Sequence, residues 1–260
     1  MRHIRAAVFD FDGTISTLRN GWEEVMHPMM VEMIVGCSEI DEGTLEKISN
    51  EVKTYIHEST GIQTIYQMEW LTDTVKKYGY VKEALDGWGY KAIYNERLLA
   101  NVQDRLKQIN DGSVSPENYI IKGSVYFLEE LQKRGVDIYL ASGTDHPDVV
   151  NEANILQISL YLKEIAGAPV GRADCSKEKV IRDLIVEQGF DEQSLLVVGD
   201  GKVEISLGKE YGAFCLGIAS DEDKREGIND VKRHRLEKAG ADLIVGDFLQ
   251  RQELLNKIGL

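Results

Sequence analysis

From residue 136 to residue 245 the sequence alternates strand-length apolar runs with helix-length amphipathic stretches, and that alternation leaves few folds open. Two strands joined through one helix run in the same direction, and a sheet built this way is covered by helices on both faces. The expected strands are 136–141, a segment around Ile165, 195–198, 213–218 and 242–245. The expected helices are 122–134, 179–187, 204–211 and 231–238. One more strand stands at the N-terminus, where the apolar run Ala6-Ala7-Val8-Phe9 stops at Asp10-Phe11-Asp12-Gly13-Thr14. A run without polar alternation is the pattern of a strand buried on both faces.

Between that first strand and the rest lies a different texture. From about Trp22 to Asn110 apolar residues recur at helical spacing, as in Leu45, Ile48, Val52, Tyr55 and Ile56. Gly61, Gly79 and Gly112 follow helical stretches, where a residue with positive φ often ends a helix, so about four helices are expected. The fold class that results is α/β, a Rossmann-like parallel sheet with an inserted α-helical cap. The core is expected at 1–17 and 116–260 and the cap at 18–115. With 4 prolines in 260 residues and no low-complexity linker, the hinges should be short, near 15–20 and 111–118. Trp22, Trp70 and Trp88 read most simply as cap core, with a loop between Gly87 and Gly89 as the alternative for Trp88.

A formal net charge of −14 argues against a partner such as nucleic acid, which requires a positive face to release counterions. It leaves room for a small phosphorylated metabolite, since a metal ion and a few local cations can outweigh the global charge at one site. No apolar stretch is long enough to span a membrane, and the start of the chain runs directly into a strand without a signal-like segment. The three cysteines, Cys37, Cys175 and Cys215, lie far apart and read as reduced thiols. A cytoplasmic location is the resulting expectation.

Four short clusters fall at expected strand ends or the loops beside them, where ligands of parallel sheets bind. Asp10 and Asp12 supply two carboxylates, one able to attack phosphorus and one to move protons. Ser142-Gly143-Thr144-Asp145 offers a hydroxyl and exposed amides to phosphoryl oxygens. Lys177 and Lys179 open a helix, where an ammonium group would neutralise phosphate. Asp200 and Glu204, in Gly199-Asp200-Gly201-Lys202-Val203-Glu204, are hard oxygen donors of the kind Mg²⁺ takes. Each cluster alone is ordinary: Asp-x-Asp is more often an Asx-turn, Ser-Gly-Thr and Gly-Asp-Gly are turns, and such lysines usually face solvent. Their order and common placement carry the argument.

In that order, Asp-Phe-Asp-Gly-Thr at 10–14, Ser142, Lys177 and Gly-Asp-Gly-Lys-Val-Glu at 199–204 resemble the haloacid dehalogenase-like superfamily of hydrolases. The branch most similar is that of phosphoglycolate and phosphoserine phosphatases with a helical cap, and the resemblance covers essentially the whole chain. It implies a Mg²⁺-dependent phosphatase acting on a phosphate monoester, with Asp10 as nucleophile and Asp12 as general acid and base. Asp10, Asp200 and the backbone carbonyl of Asp12 would hold Mg²⁺, with Glu204 as a further acidic contact where the family commonly has Asp. Ser142, Gly143 and Lys177 would hold the transferring phosphoryl group, Lys177 matching the family position and Lys179 lying two residues on. Cap closure would exclude water from the first step.

Arg19, close after the first motif, is a candidate phosphate or substrate contact, and Gln63 and Thr64 are candidates for substrate contact or helix capping. His27 and His57 stand alone, whereas His146, four residues after Ser142, is placed to line a pocket. A phosphomutase would use the same two aspartates and pass the phosphoryl group to a sugar. A receiver-like regulator would lack the insert, and a dehalogenase has no leaving group for Asp12 to protonate.

Overall fold

The computed structural model describes residues 3–173, 176–186 and 192–260. Strand β1 (Ala6–Phe9) leads to four helices, α1 (Trp22–Val35), α2 (Glu42–Glu58), α3 (Thr64–Tyr78) and α4 (Gly87–Asn110). There follow α5 (Ser124–Lys133), β2 (Asp137–Asp145), α6 (His146–Ile155), β3 (Glu164–Ala168), α7 (Ser176–Val186) and β4 (Leu195–Gly199). The chain closes with α8 (Lys202–Glu210), β5 (Phe214–Ile218), α9 (Asp230–Ala239), β6 (Leu243–Val245) and α10 (Arg251–Ile258). Two compact units emerge, Met1–Asn20 with Arg105–Leu260, and Gly21–Asp104.

The first unit is the parallel sheet. Its strand order is β3-β2-β1-β4-β5-β6, with every pairing parallel. Side chains alternate across it as the period of a strand requires. Ala7 and Phe9 join Phe127, Leu128, Leu140, Val198 and Leu254 in one buried cluster, and Ala6 and Val8 join Ile181, Leu184, Val197, Ile205 and Leu236 in the other. Phe127 sits edge-on to Phe9 at 6.2 Å and stacks on Phe248 at 5.0 Å. The result is an α/β/α sandwich with α5, α6 and α10 on one face and α7, α8 and α9 on the other.

Strand β1 lies between β2 and β4, so the strand order reverses beside it, the place outside the strand C-termini where open parallel sheets bind ligands. Register aligns this mouth. Phe9 pairs with Leu140 on one side and Val198 on the other, and Asp10 N–H donates to Val198 O at 2.8 Å. Asp10, Ser142 and Asp200 therefore stand at nearly one level.

Strand β2 runs past its expected end at residue 141 to Asp145, because it carries a bulge. Ala141 pairs with Ala166 and Asp145 with Ala168, so Ser142, Gly143 and Thr144 stand against Gly167 alone. A Cβ on Gly167 would lie 2.4 Å from His146 Cα, so only glycine admits this approach.

The second unit holds α1, α2, α3 and most of α4, around Met26, Met29, Met30, Ile48, Val52, Met68, Leu71 and Tyr94. Gly61, Gly79 and Gly112 have φ of +92°, +69° and +78°, as the turn reading of these glycines requires. Trp70 stacks on Tyr55 at 3.9 Å. Trp88 departs from the core expectation: it is 37% exposed in the first turn of α4, where Lys91, three residues on, sits over its ring. The last turns of α4 belong to the first unit, for Arg105 Nη1 donates to the carbonyls of Leu18 (2.6 Å) and Asn20 (3.0 Å). Among the described residues no helix is long and apolar enough to cross a membrane.

Candidate active site

The loop after β1 sets the geometry. Phe11 O accepts from the amides of Ile15 and Ser16, both at 2.9 Å, and Ser220 Oγ donates to Gly13 O at 2.9 Å. Gly13 has φ +74°, and a Cβ there would lie 2.4 Å from Asp200 Oδ2. The turn thus needs glycine twice over, for its left-handed backbone and for the close passage of Asp200.

Asp10, Lys177, Asp200 and Glu204 form one buried cluster, none more than 6% exposed. Lys177 Nζ lies 2.9 Å from Asp10 Oδ1 and 2.9 Å from Glu204 Oε2. The other Glu204 oxygen accepts from Gly201 N–H at the start of α8. Gly199 is obligatory here as well, since a Cβ would meet Glu204 Cγ at 2.2 Å. Lys179, two residues on, is exposed, so of the two lysines Lys177 alone joins the cluster. Cys175 falls outside the described residues.

Oxygens of Asp10, Asp200 and Glu204 lie within 4.8 Å of one another. Burial pushes the Asp10 carboxyl well above the usual carboxylate range. Lys177 pulls it back, while Glu204 and Asp200 push it further up. Such a set of hard oxygen donors, with more negative charge than its neighbouring ammonium groups balance, fits a divalent cation such as Mg²⁺. Burial also acts against the charge of Lys177, but Asp10 and Glu204 outweigh it and keep the ammonium protonated.

Asp12 is arranged differently. Its Oδ2 accepts from Thr144 Oγ1 at 2.8 Å, while its Oδ1 is buried with no hydrogen-bond partner among the described residues. Burial raises its carboxyl, against opposing effects of Arg19 and the Thr144 bond. Ser142 is 1% exposed, and its Oγ accepts from Thr144 N–H at 3.0 Å, so the bulge orders both hydroxyls of this segment.

Arg19 is paired with acidic side chains of α6. Its Nη2 and Nε reach both oxygens of Glu152 (2.6 Å at the shortest), and Asp148 lies 3.5 Å away. Burial moves Glu152 up to about 7 in spite of Arg19. Gln63 takes the N-cap position of α3 without a side-chain capping bond. His146 is exposed, and its Nδ1 accepts from Gly167 N–H at 3.3 Å.

Several residues in the site escaped the sequence reading. Lys232 Nζ pairs with Asp200 Oδ2 (2.8 Å) and Glu222 Oε1 (2.6 Å), and Arg235 donates to Asp200 O at 2.9 Å. Burial would raise Asp200 too, but Lys232 and Arg235 outweigh it and hold this carboxyl low. Thr144 belongs to the Ser142-Gly143-Thr144-Asp145 motif, whose sequence gives no sign that it partners Asp12. Lys232 sits in Asp230-Val231-Lys232-Arg233-His234-Arg235, whose charge density reads as a solvated face.

Three comparisons relate the chain to known proteins. Residues 4–212 match the family described as haloacid dehalogenase-like hydrolase. A curated 5'-nucleotidase of Pseudomonas aeruginosa is 26% identical over 102 residues, 39% of this chain and 46% of that protein, so the match spans less than half of the relative. Among solved structures, a beta-phosphoglucomutase from Clostridium difficile superposes with TM-score 0.63 at 17% identity, covering 98% of this chain and 97% of that one. A predicted phosphoglycolate phosphatase from Haemophilus somnus 129pt gives TM-score 0.64 at 15% identity, covering 98% and 99%. At these identities the structural likeness concerns the fold.

Proposed function

The chain belongs to the haloacid dehalogenase-like hydrolase family, and from that premise we propose that it is a Mg²⁺-dependent phosphatase that hydrolyses a small-molecule phosphate monoester through a phosphoaspartate on Asp10. The observation that carries the reading is the state of Asp12, two residues from Asp10, with Oδ2 tied to Thr144 and Oδ1 buried without a hydrogen-bond partner among the described residues. A carboxyl so placed can hold a proton for a leaving group and later take one from water.

Asp10, Asp200, Glu204 and the backbone carbonyl of Asp12 would hold Mg²⁺. When bound, the ion supplies positive charge that offsets repulsion between the Asp10 carboxylate and an incoming phosphate. A carboxylate oxygen of Asp10 attacks phosphorus, and the bond from phosphorus to the ester oxygen breaks. Asp12 gives its proton to the departing oxygen, leaving an alcohol and an acyl phosphate. Lys177, Ser142 and the amide of Gly143 stabilise the charge on the phosphoryl oxygens. Asp12, now a carboxylate, removes a proton from the water that hydrolyses the phosphoaspartate, which restores both aspartates and releases inorganic phosphate. Glu204, with one oxygen on Lys177 and the other on Gly201, also aims the lysine at Asp10.

Phosphate release from p-nitrophenyl phosphate and a panel of metabolites tests the proposal, with and without Mg²⁺, in wild type and Asp10→Asn. The panel includes phosphoglycolate, phosphoserine, sugar phosphates and, in view of the curated relative, nucleoside 5'-monophosphates. Mg²⁺-dependent release lost in the variant is the expected result. No release from any ester, with phosphoryl transfer between sugar phosphates instead, would replace hydrolase by mutase.

A further inference from the structure

The cations of α9 belong to the metal end of the site. Lys232 is 9% exposed and bridges Asp200 and Glu222 at 2.8 and 2.6 Å. Its ammonium lies 3.0 Å from where a Cβ of Gly13 would stand, so it is packed under the loop that carries Asp10 and Asp12. Arg235 takes the carbonyl of the same aspartate at 2.9 Å and lies 3.7 Å from its Oδ2. One oxygen of Asp200 is therefore committed to the protein's own cations.

We infer that Lys232 is a positioning residue which acts through Asp200 as an internal counter-cation: it fixes the carboxylate for attachment to the metal through one oxygen and, with Glu222, sets how tightly the site holds a divalent ion. The inference rests on Asp200 being a metal ligand, as proposed above. Its physical content is the sign of each change. Lys232 places a positive charge beside the ion and lowers affinity, whereas Glu222 cancels part of that charge and raises it. The two residues, in direct contact, should thus shift metal binding in opposite directions.

The test is direct Mn²⁺ binding followed by electron paramagnetic resonance, with Mg²⁺ as competitor, on the intact protein. Lys232→Met should tighten Mn²⁺ binding and Glu222→Gln should weaken it, each by about tenfold at the short distances involved. Lys232→Arg should remain near wild type. The double variant removes the pair together and should return close to the wild-type value, which keeps the test valid if Lys232→Met alone folds poorly. Loss of affinity in both single variants would mean that the pair merely supports Asp200 sterically, and no shift in either would mean that it does not reach the metal; either result overturns the inference. Asp200→Asn separates the two levels of the argument. If the wild type binds Mn²⁺ and this variant does not, the ligand assignment stands whatever Lys232 does. If the wild type binds no Mn²⁺, the assignment fails and the inference falls with it.

Discussion

The two ends of the site treat their carboxyl groups in opposite ways. At one end Asp200 is held by Lys232 and Arg235, which outweigh burial and keep its carboxyl below the usual range. At the other end Asp12 accepts from a neutral hydroxyl through one oxygen, the other finds no hydrogen-bond partner among the described residues, and burial raises it. Asp10 lies between them, pushed up by burial and by its acidic neighbours while Lys177 pulls it down. One parallel sheet thus presents a carboxylate that stays ionised and a carboxyl that can carry a proton. This is how acid and base roles separate among residues of the same type.

Removing the proton carrier should have the largest effect. Asp12→Asn is expected to lower turnover of an alkyl phosphate by about 10²–10⁴-fold, the range of general acid–base catalysis. The loss of the first step should be smaller for p-nitrophenyl phosphate, whose leaving group needs no proton. Pre-steady-state rates on the two esters measure the difference, and equal losses would break the contrast between the two ends. Next comes Lys177→Met, expected to cost about 10²–10³-fold in kcat, comparable to loss of one preorganised donor to a developing charge. Steady-state kinetics with a common ester would check it.

Gly13→Ala tests the turn that joins the ends. Its positive φ and the 2.4 Å approach to Asp200 Oδ2 predict a loss of about 1–3 kcal/mol in unfolding free energy, measured by urea denaturation. The smallest effect concerns Glu152 behind Asp12. Its folded-state value of about 7 lies above the ordinary 4.5. The folded chain therefore binds more protons there than the unfolded chain. Its contribution to stability is fully present below about pH 4.5 and is lost as pH rises through about 7. The difference in Tm between wild type and Glu152→Gln should change across that window in favour of the variant as pH rises; a constant difference would contradict the assignment.

How much of this was legible depended on local pattern. The inner strands β1, β2, β4 and β5 stand in the sequence because buried parallel strands are apolar runs, the half-buried edge strands β3 and β6 stand there only as short apolar segments, and Asp10, Asp12, Lys177, Asp200 and Glu204 mark strand ends or the helices beside them. Helices α6 and α10 are absent from the expected set, since their buried residues, Val149 and Ala153 in one and Leu254, Leu255 and Ile258 in the other, occupy short stretches among polar residues. The bulge that extends β2 to Asp145 depends on how β3 pairs with it, which no single segment reveals. The same limit applies to the ion pairs. Arg19 is an isolated basic residue until the fold brings Glu152, 133 positions away, against it. Lys232 likewise meets Asp200 only through the β5–α9 connection, so its sequence neighbourhood suggested solvent.

The most direct test of the central claim is to trap the enzyme during turnover. With Mg²⁺ and a phosphate ester, acid quenching followed by peptide mass spectrometry should find a hydroxylamine-labile phosphoryl group on Asp10. The adduct should disappear in Asp10→Asn and persist longer in Asp12→Asn, where the water lacks its base. Sustained turnover with no adduct, or an adduct on another residue, would contradict the account.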